Sequence, residues 1–446
     1  MGRLPDKKLS QLRALLNSLP GDMADRLCHA AGQGDPVLGR LLDYCRLEPD
    51  EAARKLFFAP LAPLSGDPQT CRPSRSYTPE GELKRIWPWL RDEVAPEAAK
   101  AARAAAADFD APEDPLRLDD PRREAGAAIL EIVKSLEDEG KKQKRLCARL
   151  EINSLEPLRR VGVLLRVSPV LQAELANIPV VIDELNDKLS VLIHARYEAA
   201  MEADPDAGVW LLFMIMARME RPWRLLRVFE RITKRGDDFL LSRTDMSAVG
   251  DALLTDAEHY LAGFSKTPET AEDVEPAVIA LTGFAQVTVG MTREIGIRKD
   301  GAWGQKLFEL RARASAQMEN IHDTARSVFE SVTPEAGGSR SRRHKTPVRG
   351  EAEFERAAAL GRFLYLTKDD ASRAAAGNAH AVLLGEIRER LEITGQRVLD
   401  ELRRGVSKDR AASESRLEDI ALLMRALNDD DGANVLLRRT AAALAA

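Results

Sequence analysis

Residues 280–295 read ALTGFAQVTVGMTREI, and two kinds of secondary structure compete for them. The alternation in AQVTVG, 285–290, is what a half-buried β-strand presents, with β-branched valine and threonine favouring a pleated surface. Leu281, Phe284, Thr288, Met291 and Ile295 instead recur every three or four residues, which places them on one stripe of a helix. The stripe extends beyond both ends of the alternating run, so the spacing predicts a helix over 272–296. With that segment helical, no stretch of the chain favours a sheet, and the expected fold class is all-α.

Neighbouring segments repeat the pattern. Helices are expected near 244–264 and 302–332, and earlier along 179–203, where Ile182, Leu185, Leu189, Leu192, Arg196 and Ala199 share a face. Trp210–Met219 and Trp223–Ile232 read as two more, divided by Arg221-Pro222. Ala125, Ile129, Ile132 and Leu136 form a stripe that Leu146 and Leu150 resume beyond Gly140. Towards the C-terminus, Leu384, Ile387, Leu391, Val398 and Leu402 line one helix, and Leu417, Ile420, Leu423 and Leu427 another. No fixed repeat period links these segments, so a solenoid is not expected.

Composition agrees with a globular helical protein. The 446 residues are 44% hydrophobic and 31% charged, with only 5% aromatic. Alanine, the residue that costs least in a helix, is abundant. Arginine outnumbers lysine, which together with the alanine excess suggests a bacterial genome rich in GC. The charge balance, 66 basic against 71 acidic residues for a net of −5, argues against a surface that coats nucleic acid globally. Cys28, Cys45, Cys71 and Cys147 are too scattered for a disulfide scaffold and suit a reducing compartment. The opening, MGRLPDKKLSQLRALLNSLPG, lacks the unbroken apolar core of a signal peptide, and Asp6 stands where a myristoylation motif needs Ser or Thr. The most apolar run, Val209–Ala217, is about half of what spans a bilayer. No transmembrane segment and a cytoplasmic location are therefore expected.

Proline and glycine divide the chain. A small N-terminal helical unit is expected over 1–109, containing short helices and then the stretch FFAPLAPLSGDPQTCRPSRSYTPEG, through which α-helix cannot run. A linker at 110–121 leads to a central antiparallel bundle over 122–332. The stretch TPEAGGSRSRRHKTPVRG, 333–350, has two prolines, three glycines and a concentration of arginine, and reads as a flexible basic tether. It leads to a C-terminal helical unit, 351–446.

Chemical motifs are sparse. Glu319-x-x-His322 has the spacing by which a helix offers two ligands to iron or manganese, Asp256-x-x-His259 is a rough second copy, and Glu275 could add a carboxylate. The facing argument works against this set. The stripe Val249, Leu253, Ala257, Tyr260, Phe264 leaves His259 pointing away, and Leu307, Ala314, Ile321 and Ala325 leave His322 on the flank and Glu319 farther round. Solvated side chains are the better reading of all five. Cys28-His29, Cys45 and Cys71 match no zinc spacing. His194 points away from its helix's apolar stripe, whereas His380 lies near one and reads as a packed imidazole. No GxSxG elbow, Walker loop or GxGxxG fingerprint occurs. No metal and no cofactor are expected, and an enzyme has no sequence support.

Two other features point to partners. The segment from Leu56 to Leu90 collects Phe57, Phe58, Tyr77, Trp87 and Trp89 with Arg72 and Arg75, in a chain otherwise poor in aromatics. Aromatic and arginine anchors dominate protein interfaces, so Arg72, Arg75, Tyr77, Trp87 and Trp89 are candidate protein contacts, against the reading that the Phe and Trp rings pin the loop down. Lys141, Lys142, Lys144 and Arg145 cluster in the middle of a helix, and Arg340, Arg342, Arg343 and Lys345 within the second linker, as candidate contacts to anions or nucleic acid. No aromatic residues interleave with either cluster to stack on bases. The leading expectation is a non-enzymatic interaction or scaffolding protein. A nucleic-acid-associated accessory protein is the alternative, and a carboxylate–histidine metal enzyme ranks third.

Overall fold

The computed structural model describes residues 6–20, 22–24, 26–27, 30, 41–42, 45, 47–108, 115–228, 247–334, 347–373, 377–405 and 409–445. These residues are all-α. No β-strand forms among them, and an isolated parallel bridge joins Ile182 to Met219. Contacts gather the chain into two compact units, Met1–Phe229 and Glu230–Ala446.

The first unit contains α1 (Asp6–Ser18), α2 (Pro49–Phe57), α3 (Glu80–Trp89), α4 (Pro96–Ala106), α5 (Asp119–Leu136), α6 (Gly140–Leu150), α7 (Glu156–Leu175), α8 (Asp187–Ala203) and α9 (Ala207–Arg218). Leu16, Leu42 and Cys45 form a small core near the N-terminus. The proline-rich stretch carries 3-10 turns at Ala59–Leu64 and Pro73–Arg75 rather than α-helix, as its missing donors require. Phe57, Phe58 and Trp87 meet with ring centroids 5.4 to 5.9 Å apart, and the Trp87 indole donates to Asp50 at 3.0 Å.

The second unit contains α10 (Ser247–Gly263), α11 (Ala271–Glu294), α12 (Ala302–Val332), α13 (Ala352–Leu366), α14 (Lys368–Arg373), α15 (Gly377–Arg403), α16 (Arg410–Ala426) and α17 (Asp430–Ala445). The stripe that decided the reading of 280–295 is buried, with Leu281, Phe284, Met291 and Thr288 all at 0% exposure. The Asp273 carboxylate starts α11 by accepting from the Thr270 and Glu269 backbone N–H groups at 2.9 and 3.1 Å. By length and composition α11 could cross a bilayer, yet 56% of its most apolar window is buried against neighbours. Helices α15, α16 and α17 pack on one another, and Asn428 takes a left-handed conformation (φ 58°) to turn the chain between the last two.

Several expectations are corrected by this arrangement. Helix α8 begins at Asp187 rather than near 179, because the Asn186 side chain accepts from the Leu189 N–H at 2.9 Å and caps it there. The stretch 122–332 is not one bundle, since the boundary between the two units at Phe229 falls inside it. The stretch 351–446 is not a separate unit. Helix α13 packs on α11 and α12, and α15 packs on α12, so all share one core. Residues 119–121 of the first expected linker already belong to α5.

Arginines close many of the helix ends. The last carbonyls of a helix have no partner within it, and here guanidinium groups from other elements supply the donors. Arg122 donates to Phe57 and Leu56 at the end of α2 (3.0 and 2.9 Å). Arg72 reaches Met216 and Met219 at the end of α9 (3.0 and 3.3 Å). Arg218 reaches Leu175 and Ile178 just past α7 (3.2 and 2.8 Å). In the second unit, Arg388 donates to Leu427 after α16 and Arg410 to Ala443 in α17, at 3.1 and 3.3 Å.

Helices α5 and α7 cross where glycine faces glycine. A Cβ at Gly126 would lie 2.5 Å from the Gly162 carbonyl and 2.6 Å from the Arg166 nitrogen, both backbone atoms. At Gly385, inside α15, a Cβ would meet no atom within 4 Å. Gly126→Ala is therefore expected to cost about 1–3 kcal/mol through forced separation of the helices, although alanine is the better helix former. Gly385→Ala is expected to add roughly 0.5–1 kcal/mol. Denaturant titration of the two variants checks this, and shifts of the same sign would contradict it.

Candidate functional site

A concavity lies in the second unit, between α12 and α15. It is a groove of about 590 Å³. Phe329, Leu383 and Ile387 form its buried floor, and Ile393 stands at its edge with 60% exposure. Ile393 lies off the apolar stripe that seats α15 on its neighbours, which is why it remains uncovered. Charges of both signs flank the floor and bridge the two helices. Arg326 of α12 pairs with Glu386 of α15 at 3.3 Å, and Arg390 of α15 with Glu330 of α12 at 3.8 Å. The groove thus offers an apolar strip between arginine and glutamate side chains. That is a surface suited to a helix or extended segment with an apolar anchor.

Arginines also fix the end of the groove. Arg390 and Arg397 of α15 donate to the Thr333 and Pro334 carbonyls at 3.5 and 3.0 Å. Arg416 of α16 donates to the Val332 carbonyl and, at 3.3 Å, to that of Pro347. Arg349 pairs with Glu418 and Asp419 at 3.1 and 3.4 Å. Burial lowers the pKa of Arg416, against a smaller opposing effect of Asp419. Residues 334 and 347 are therefore held close to the same helices, so the tether expected over 333–350 is anchored at both ends within the second unit.

Further along the α12–α15 contact, two buried histidines meet. His322 Nε2 lies 3.0 Å from His380 Nδ1, and His380 Nε2 lies 2.7 Å from the Leu364 carbonyl oxygen. A carbonyl only accepts, so His380 carries its proton on Nε2 and leaves Nδ1 bare. His322 must then donate from its own Nε2. Burial, the neighbouring His380 and Arg326 pull the His322 pKa down to about 4, with Asp323 opposing. Burial also lowers His380, against the raising effect of the Leu364 bond.

This placement revises the reading of the candidate metal ligands. His322 is buried at 5% exposure and Asp256 at 0%, not solvated, whereas Glu319 and Glu275 are exposed. His259 is half-buried beside the Tyr260 ring. Among the described residues no three His, Cys, Asp or Glu side chains are placed to hold a metal ion. His194 pairs with Glu198 on its own helix at 3.3 Å.

The aromatic–arginine segment of the first unit is largely consumed by its own fold. Trp87 and Trp89 are 2% and 6% exposed, so neither can anchor a partner, contrary to expectation. Arg72 is engaged with the end of α9 as described. Tyr77 is half-buried, stacked on Phe213 at 4.7 Å and edge-on to Trp210 at 5.6 Å. Arg75 is exposed, while its carbonyl accepts from Gly66 at 2.9 Å. Lys141, Lys142, Lys144 and Arg145 are exposed and occupy the beginning of α6 rather than the middle of a helix, with Lys142 paired to Glu139 at 2.7 Å. Arg340, Arg342, Arg343, Lys345, His344, Cys28 and His29 lie outside the described residues.

Comparison with known proteins found no matching family model, no matching curated protein and no matching solved structure. What the fold and groove define is an all-α protein with an open, mixed-charge cleft between two long helices of its second unit. Because residues on both sides of 335–346 share that core, a chain cut within this stretch at an inserted protease site is expected to stay together. Size-exclusion chromatography of the cut protein should show one species, and separate elution of the C-terminal piece would contradict the shared core.

Proposed function

We propose that this chain is a non-enzymatic interaction protein that takes a segment of another protein into the α12–α15 groove. The observation that carries the reading is Ile393, 60% exposed beside the buried floor of the cleft and between ion-paired arginines and glutamates. An exposed branched side chain next to an apolar floor gains by covering, at roughly 25 cal/mol per Å² of apolar surface removed from water. The occupant this chemistry suits is an amphipathic helix with one aliphatic or aromatic anchor and flanking charges of both signs. Cys71 and Cys147 are free thiols, in keeping with a reducing, cytoplasmic setting.

A second reading, contact with nucleic acid, is favoured by the start of α6. There Lys141, Lys144 and Arg145 add to the positive end of the helix dipole. Such binding would weaken steeply with salt.

Site-specific photocrosslinking in the full-length chain separates these readings. A crosslinker at Ile393 is expected to give a discrete adduct that one at Val435, exposed on α17, does not. Untagged chain should compete the adduct away, and untagged Ile393→Glu chain should not. A Lys141→Glu, Lys144→Glu chain should still compete, while losing any retention on heparin. Identical adducts from positions 393 and 435 would remove the groove reading.

A further inference from the structure

The His322–His380 pair is an unusual feature for a helical core. The two rings lie 58 positions apart in sequence, and their bond, together with the Leu364 carbonyl, ties α12, α15 and the end of α13 to one another. The arrangement works only while both rings are neutral. His380 Nδ1 is the acceptor for the His322 Nε2–H, so a proton added there sets two N–H donors against each other at 3.0 Å. A proton added to His322 instead places a cation on a side chain that is only 5% exposed.

The surrounding charges do not relieve this. On α12, Asp323 and Arg326 act on His322 with opposite signs. From α13 the group presented is the Leu364 carbonyl. On α14, Asp370 accepts from Thr282 and Arg373 at 2.7 and 2.9 Å, and Lys368 lies over the Tyr365 ring at 4.5 Å. On α10, Glu258 pairs with Lys306 at 3.3 Å. On α15, Glu386 pairs with Arg326 and Arg388 donates to Leu427. On α16, Asp419 pairs with Arg349, and on α17 Arg438 donates to Asn434 at 3.3 Å. Among the described residues no carboxylate bonds either imidazole.

We propose that the His322–His380 pair is an acid-sensitive latch, whose protonation breaks the link between α12 and α15 and loosens the second unit while the first stays folded. The sign follows from linkage. The unfolded chain takes up protons at an ordinary histidine value of about 6.5, and the folded pair resists, His322 to about 4. The unfolded or opened form therefore binds more protons across that window. Stability is complete above about pH 6.5 and falls as pH drops towards 4, by about tenfold in the closed-to-open ratio per pH unit for each resisting ring.

Hydrogen exchange on the full-length chain, corrected for intrinsic rates, tests this between about pH 7.5 and about pH 5. Amides of 302–332 and 377–403 are expected to lose protection by at least tenfold per pH unit in the lower part of that range, while 119–136 and 156–175 keep theirs. A His322→Gln, His380→Gln chain should lose this pH dependence. If that chain does not fold, imidazole nitrogen NMR of the wild type decides. Both rings should remain neutral with the proton on Nε2 until the second unit opens. Protection independent of pH, an unchanged response in the double variant, or both rings titrating near pH 6.5 in a closed unit would each overturn the latch.

Discussion

A helix that ends inside a protein leaves carbonyl oxygens that must find donors elsewhere, and this chain meets that constraint with arginines from other elements. The guanidinium group suits the task because its fixed fork of N–H groups can bond two carbonyls at once, and its positive charge faces the negative end of the helix dipole. Arg122 shows the device most completely. It is 3% exposed, and it donates to two consecutive carbonyls of α2 while lying 3.5 Å from Asp119 of its own helix. Lysine, a point charge on a flexible stem, cannot reproduce that geometry. The excess of arginine over lysine in the sequence has a structural use here.

These end-to-side bonds tie helix ends to neighbouring elements. Arg416 of α16 donates to the Val332 and Pro347 carbonyls and so ties α16 to the end of α12. Helix α15 lies along α12, and that contact carries both the groove and the histidine pair. The two features have opposite character. The groove is open, with Ile393 uncovered and its charges in exchange with solvent. The histidine pair is closed, and every ring nitrogen involved in bonding is committed to a partner.

Much of the fold was legible in the sequence, and for an identifiable reason. Stripes such as Leu281, Phe284, Met291 and Ile295 are long and regular, and helical burial is the only arrangement that covers all of them at once. The start of α8 was misplaced because the apolar spacing from Ile182 to Leu189 continues through Asn186, whose side chain nevertheless ends the extended segment by capping the helix. Unit boundaries were less legible, since proline and arginine over 333–350 look alike whether the chain departs to a separate unit or returns to the same one. Trp87 and Trp89 mark an interface or a core with equal force in sequence, and only packing distinguishes the two. Ile393 carried a usable signal, an apolar residue off the stripe of its own helix. The union of His322 with His380 carried none, because nothing in the spacing of two distant helices specifies which of their residues will meet.

Two adjacent arginines offer the most direct test of the helix-end constraint. Arg122 donates to the end of α2, whereas Arg123 is exposed and pairs locally with Asp120. Arg122→Lys keeps the charge and removes the fork, and denaturant titration should show a loss of roughly 1–3 kcal/mol from carbonyls left without donors. Arg123→Lys should stay within about 0.5 kcal/mol of the parent chain. Equal stabilities for the two variants would contradict the claim that arginine-capped helix ends hold this fold together.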